Sequence, residues 1–251
     1  MIKVMTLNNC MLPLNYPNVE IPKDDITAWQ QRPWTRIWIN KLHVAQVQDL
    51  ECAPHGIYPT KFPVISRPTY NMDGMGAGAE IWRGPEDVVY RAGHFWTEVL
   101  EGDHTSWDIM LERGEITESY IAQGHHITIS QFSHWNIWRA MPAIHVKGFI
   151  ARHFNERSGK INIECIGDKI IEIHFRWCPE WEHWYDRVPF YSVPLWDDVD
   201  RWQQLGPAQG EGWEVIPDTV PGFVAPHRLG IMLCDDLKTA HNHARYKQYI
   251  G

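Results

Sequence analysis

Over much of the middle of the chain, apolar and polar residues alternate with a period of two, which predicts strands. Between His94 and Gln123 the segments FWTEVLEG, HTSWDIMLERG and EITESYIAQG each have the length of a strand. Turn signals fall at Glu101–Gly102 and Arg113–Gly114. Ile127–Trp138 continues the pattern, and FPVISRP at 62–68 is a short strand stopped by proline. After the glycine-rich NMDGMGAGAE, strand character resumes over Glu80–Arg83. A different period governs Arg36–Leu50, RIWINKLHVAQVQDL, where steps of three and four without Gly or Pro predict one continuous helix. Pro142–Glu156 is a second predicted helix, with Val146, Phe149, Ile150 and His153 on one stripe and a stop at Ser158–Gly159. RLGIMLCDD reads as a buried strand and LKTAHNHARYKQYI as a closing helix. Residues 1–35 read as an extended or looping arm, and the proline-rich 178–227 as a loop-rich excursion over the surface. Strands outnumber helices and are joined mainly by hairpins, so the fold class expected is α+β, with antiparallel sheet and packed helices. The expected division is an arm, 1–35, and one domain, 36–251, with helix, strand and glycine loop in 36–93 and the remainder in 94–251.

The alternation is sharpest in Ile161–Arg176, INIECIGDKIIEIHFR. One arm sets Ile161, Ile163 and Cys165 against Asn162, Glu164 and Ile166; the other sets Ile171, Ile173 and Phe175 against Glu172, His174 and Arg176. Register decides how these faces meet, because a slip of one residue reverses every side chain. A two-residue Gly167–Asp168 turn puts Glu164 opposite Ile171. A three-residue Gly167–Asp168–Lys169 loop puts Glu164 opposite Glu172 and Asn162 opposite His174, makes the apolar faces coincide, and is therefore predicted. Facing carboxylates repel unless a cation lies between them. A few hard oxygen ligands suit Mg2+ that also binds phosphates. The plainer alternative is a solvated face on which each glutamate pairs with an Arg or Lys.

Composition changes this picture in a few places. With 44% hydrophobic and 22% charged residues the chain has the balance of a soluble domain, and no apolar run approaches the roughly 20 residues of a membrane span. The opening MIKVMTLNNCML lacks the apolar core and cleavage site of a secretory signal, so a cytoplasmic protein is expected. Five scattered cysteines without a CxxC pair predict reduced thiols, not a zinc ribbon or disulfide framework. A net charge of −8 without a basic run excludes a dedicated nucleic-acid surface, yet leaves room for a local basic pocket. Fourteen tryptophans at no regular spacing are expected to fill core and brace loops, with an aromatic groove for a sugar, base or peptide as the sharper alternative. His125–His126 lacks acidic or Cys partners at a metal spacing. Asp103, His104, Ser106 and Asp108 alternate on one strand without the glycine pattern of a nucleophile elbow.

The order of parts resembles the ATP-grasp superfamily of carboxylate–amine ligases. NKLHVAQVQDLECAPHGIYPTKFPVISRPTYNMDGMGAG resembles its lysine-bearing helix, lysine-ended strand and glycine loop over the phosphates. FWTEVLEGDHTSWDIMLERGEI resembles its hinge strand, which holds adenine, and the strand that follows. INIECIGDKIIEIHFR is similar to its two metal-binding strands, and RLGIMLCDDLKTAHNHARYKQYI to the closing strand and helix of carboxylase-type members. The likeness spans residues 38–176 well and the remainder loosely.

The resemblance implies an ATP-grasp-like fold with a shortened N-terminal region, and ATP and Mg2+ as cofactors. Lys41 and Arg67 then match the two lysines near the phosphates, and Gly74, Gly76 and Gly78 let loop backbone approach them. Glu98 to Glu101 matches the hinge that reads adenine and ribose. Glu164 and Glu172 match the Mg2+ ligands, His174 joins them where the family has asparagine, and Arg176 matches the arginine beyond. Two positions depart from the pattern: Arg67 is a planar fork in place of a point donor, and His174 an imidazole in place of an oxygen ligand. The implied activity is ATP- and Mg2+-dependent activation of a carboxylate as an acyl phosphate, for attack by an amine or similar nucleophile. Lys41, Arg67 and Arg176 would carry the charge stabilisation. Substrates would be small molecules or peptides, with a homo-oligomer compatible. The departures keep open a non-catalytic, ATP-grasp-shaped binding or structural protein.

Overall fold

In the computed structural model, which describes residues 25–70, 78–128, 131–196, 208–218 and 228–242, the alternating segments form two antiparallel sheets. The smaller has four strands in the order β1 (Cys52–Pro54), β4 (His94–Glu98), β2 (Val64–Pro68), β3 (Glu80–Trp82). The larger has nine. Its order is β11 (Ala208–Gly210), β12 (Trp213–Pro217), β13 (Arg228–Cys234), β10 (Phe190–Trp196), β7 (Phe132–Arg139), β6 (Glu115–His126), β5 (His104–Glu112), β8 (Gly159–Ile166), β9 (Lys169–His174). This is the antiparallel α+β architecture that the alternation predicts.

Successive strand residues face opposite ways, and the core divides accordingly. Trp107, Ile109 and Leu111 of β5 and Ile161, Ile163 and Cys165 of β8 pack against Val146, Phe149 and Ile150 of α4 (Ile144–His153). Ala28 of α1 (Asp25–Gln31), Ile39 of α2 (Thr35–Ile39) and Val44 of α3 (Lys41–Gln46) complete that cluster. Each large side chain buried there contributes roughly 1.5–3 kcal/mol. Ile121 of β6 belongs to the same cluster, whereas its neighbours Tyr120 and Ala122 join Trp135, Trp177, Trp181, Trp184 and Phe190 across the sheet. These tryptophans fill core. Among the described residues no helix is long and apolar enough to cross a membrane, and Cys52, Cys165, Cys178 and Cys234 are free thiols.

Three expectations change. The continuous helix over 36–50 is broken at Asn40, which adopts φ −75°, ψ 103°. Its side chain accepts from the His43 N–H at 3.0 Å and starts α3 afresh, the competition with helix backbone that makes Asn a capping residue. Within 178–227, residues 190–196 are no surface excursion, since β10 lies between β7 and β13 with Phe190, Val193 and Leu195 buried. Pro194 is tolerated there because β10 pairs with β7 only over 190–192, so the missing N–H costs no ladder bond. The expected N-terminal arm contains α1, while residues 1–24 lie outside the described part of the chain.

Candidate functional site

The hairpin of β8 and β9 sets Glu164 opposite Glu172 and Asn162 opposite His174, as expected, but by a different route. Ile166 pairs with Lys169 and Cys165 with Ile170, so the turn has two residues, and a β-bulge beside Glu164 inserts Ile171 and resets the register. The bulge gives the core position to Ile170, which joins Ile173 and Phe175 in the first cluster. Gly167 supplies the turn's positive φ of 59°. A Cβ on Gly167 would stand 2.6 Å from the Glu101 carbonyl oxygen, so the loop from β4 to β5 rests directly on the hairpin.

An unbroken chain of alternating charge runs through the polar face of this hairpin. Arg176 Nε lies 3.1 Å from Asp25 Oδ2 as an ion pair, and His174 Nδ1–H donates to the same oxygen at 2.7 Å. His174 Nε2 lies 3.1 Å from Glu172 Oε1, and Lys41 Nζ lies 2.8 Å from Glu172 Oε2. Lys41 is 4% exposed and Asp25 3%. Both ring nitrogens of His174 lie beside carboxylates, which favours the imidazolium. Burial lowers its pKa, but Glu172 and Asp25 outweigh burial and raise it to about 9. Burial likewise pushes Glu172 and Asp25 up, and the cations beside them hold both below the usual carboxylate range.

Strand pairing adds a second chain. Ser106 lies opposite Glu164 and Asp108 opposite Asn162, so β5 turns His104, Ser106 and Asp108 toward the same face. His104 Nε2–H donates to Glu164 Oε2 at 3.3 Å, His104 Nδ1 meets His126 Nε2 at 3.1 Å, and His126 Nδ1–H donates to the Thr128 carbonyl at 3.1 Å. Burial raises the Glu164 carboxyl, and the His104 hydrogen bond brings it below its ordinary value. Asp108 serves structure: it accepts from Asn162 Nδ2 at 2.7 Å, the Cys178 N–H at 2.8 Å and the Tyr185 hydroxyl. Its burial still pushes its pKa up to about 6.

Arg67 approaches from β2. It is 9% exposed, its Nε is buried without a hydrogen-bond partner, and its guanidinium stacks 5.1 Å over Phe95. The charges of Glu172 and Glu164 act on it, and the Lys41 N–H donates to the Thr69 carbonyl at 3.0 Å, which ties α3 to the end of β2. Lys41, Arg67, His174 and Arg176 are set among the carboxylates of Asp25, Asp108, Glu164 and Glu172. A buried donor without a partner is costly, so the Arg67 Nε suits an added acceptor. For a metal ion, Glu164, Glu172 and His174 offer ligand atoms within 4.8 Å of one another. The two carboxylates have the hard-oxygen chemistry that Mg2+ takes. His174 instead spends both nitrogens as donors in this arrangement.

The remaining expected residues lie around this cluster. Gly78 has φ 77° just before β3, packed against Pro68, while Gly74 and Gly76 are outside the described residues. Glu98 ends β4 and accepts from the Glu51 N–H at 3.0 Å, and Glu101 lies in the loop resting on Gly167. Sequence reasoning missed Asp25 and the part played by His104. The Asp24–Asp25 pair before ITAWQQ is a legible helix start, but nothing local names His174 as its partner. His104 needed the β5–β8 pairing to be seen beside Glu164.

No protein-family model matches this sequence, and no curated protein does. Solved structures do match. Carboxyaminoimidazole ribonucleotide synthase from Aspergillus clavatus, complexed with ATP, superposes with a TM-score of 0.59 at 10% identity, over 85% of this chain and 74% of that one. L-amino acid ligase from Bacillus licheniformis gives 0.53 at 9%, over 85% and 71%. The biotin carboxylase domain of Hydrogenobacter thermophilus 2-oxoglutarate carboxylase, with MgADP and bicarbonate, gives 0.50 at 10%, over 81% and 63%. The chain thus has an ATP-grasp-like fold, as its order of parts implies.

Proposed function

We propose that this fold binds ATP at the Glu164–Glu172 face and activates a carboxylate as an acyl phosphate for an amine or similar nucleophile. The observation that carries this reading is the Arg67 Nε, buried and unpartnered on an arginine that the charges of Glu164 and Glu172 reach. A triphosphate supplies oxygens that accept from Lys41 and Arg67. Arg176 is assigned to the charge of the transferring group, the loop bearing Gly74, Gly76 and Gly78 to the phosphates, and the segment from Glu98 to Glu101 to adenine and ribose. Glu164 and Glu172 would hold Mg2+, which neutralises phosphate charge when bound. His174 then orients Glu172 as its charged partner. The neighbours crystallised with ATP and with MgADP support nucleotide binding at the level of the fold. The acid and the amine are taken to be small molecules or peptides, met in the cytoplasm.

A thermal-shift titration with ATP, with and without Mg2+, tests this. At about 100 times Kd, ATP is expected to add about 2.7 kcal/mol of stability. Arg67→Ala and Glu172→Ala are expected to lose that gain. No stabilisation by ATP in the wild type, with or without Mg2+, overturns the reading. A second reading, a nucleotide-binding protein without turnover, is favoured by His174, whose nitrogens are both committed to carboxylates. ADP release that depends on a carboxylate and an amine selects the ligase; ATP binding without any such release selects the binder.

A further inference from the structure

Asp25 has the most ties to the site and no part in the reading above. It opens α1 and is buried, and it meets three consecutive residues far away in sequence. Oδ1 accepts from the Phe175 N–H at 2.7 Å; Oδ2 accepts from His174 Nδ1 at 2.7 Å and forms an ion pair with Arg176 Nε at 3.1 Å. Those residues are where the sheet stops holding the backbone. The β8–β9 ladder ends at the Asn162–His174 pair, and β9 is the sheet's edge strand. Past that pair no ladder bond fixes the direction of Phe175 or Arg176. Asp25 replaces the missing ladder with one backbone bond, one charge-assisted bond to His174 and an ion pair with Arg176.

We propose that Asp25 is the positioning residue of this site, aiming the His174 imidazolium at Glu172 and setting the direction of Arg176. This deepens the nucleotide reading and rests on it. A carboxylate that only diluted positive charge would weaken anion binding, so its removal would tighten the site. A carboxylate that positions the cations does the opposite, because an imidazole or guanidinium turned away from its target contributes little. The two roles therefore predict opposite signs for one substitution. Asn at 25 keeps the size and the acceptor for the Phe175 N–H while removing the charge. Glu keeps the charge and moves it by one methylene.

The test is calorimetric titration of ADP with Mg2+ into the wild type, Asp25→Asn and Asp25→Glu, together with nitrogen-15 spectra of the histidine rings. Removing a carboxylate that orients a histidine typically costs about 10- to 100-fold in the property it serves, so Asp25→Asn is expected to bind ADP weaker by that factor. Asp25→Glu is expected to be weakened too, despite its charge. The downfield, slowly exchanging Nδ1–H of His174 is expected in the wild type and lost in Asp25→Asn. ADP binding that is unchanged or tighter in Asp25→Asn, or at wild-type strength in Asp25→Glu, overturns the proposal. Should Asp25→Asn fail to fold, the affinity and ring signal of Asp25→Glu decide in its place. A wild type that binds no ADP refutes the nucleotide reading alone, and the His174 ring signal still decides whether Asp25 sets that imidazole.

Discussion

The imidazolium of His174 gives this protein a pH signature. Its ordinary pKa is 6.5 and its folded value is about 9, so the stability it contributes is complete below pH 6.5 and lost as pH rises through 9. Glu172 and Asp25 act on the other limb: their folded pKa values are lowered, so their contribution is present above the carboxylate range and lost in acid. The thermal midpoint is therefore expected to fall between pH 6.5 and 9, and His174→Gln to flatten that fall. A level wild-type midpoint across the window contradicts a buried imidazolium. The facing glutamates could be read from alternation alone, because period two and turn length leave few registers. The charge state of His174 could not, since it depends on Asp25 and Glu172, which different elements bring to its two nitrogens.

Among the elements, the break at Asn40 positions the site's lysine. Spacing in RIWINKLHVAQVQDL is helical throughout, and the pattern conceals that an Asn side chain can end one helix and begin another. Asn40→Ala removes the acceptor for the His43 N–H and is expected to cost about 1 kcal/mol, read as a lower urea midpoint at unchanged m-value. An unchanged midpoint would mean that packing of Ile39 and Val44 alone holds the two helices apart. The bulge at Ile171 shows the same limit in a strand: the sequence favours coincident apolar faces, and both a longer turn and a bulge achieve this. In β10 the prolines hid a central strand, because half of its β7-facing edge is unpaired and so tolerates them.

Across the whole molecule, order of parts proved the most legible property, because hairpins place sequence neighbours beside one another in most of the large sheet. The exceptions are the long closures, and the site depends on one of them. Asp25 reaches His174 over 149 positions and Phe175 over 150. Contacts of that span carry the loop-closure cost and form after the hairpins. Asp25→Asn is accordingly expected to leave the refolding rate unchanged and to speed unfolding in stopped-flow urea jumps; a slower refolding limb would put Asp25 in the nucleus. On the ribosome the same span becomes a delay. Helix α1 is made long before β9, so a nascent chain holds Asp25 without its partners until residues 174–176 have left the exit tunnel. Any product cut short before that point also lacks β10 to β13, and would carry both an incomplete sheet and an unclosed site.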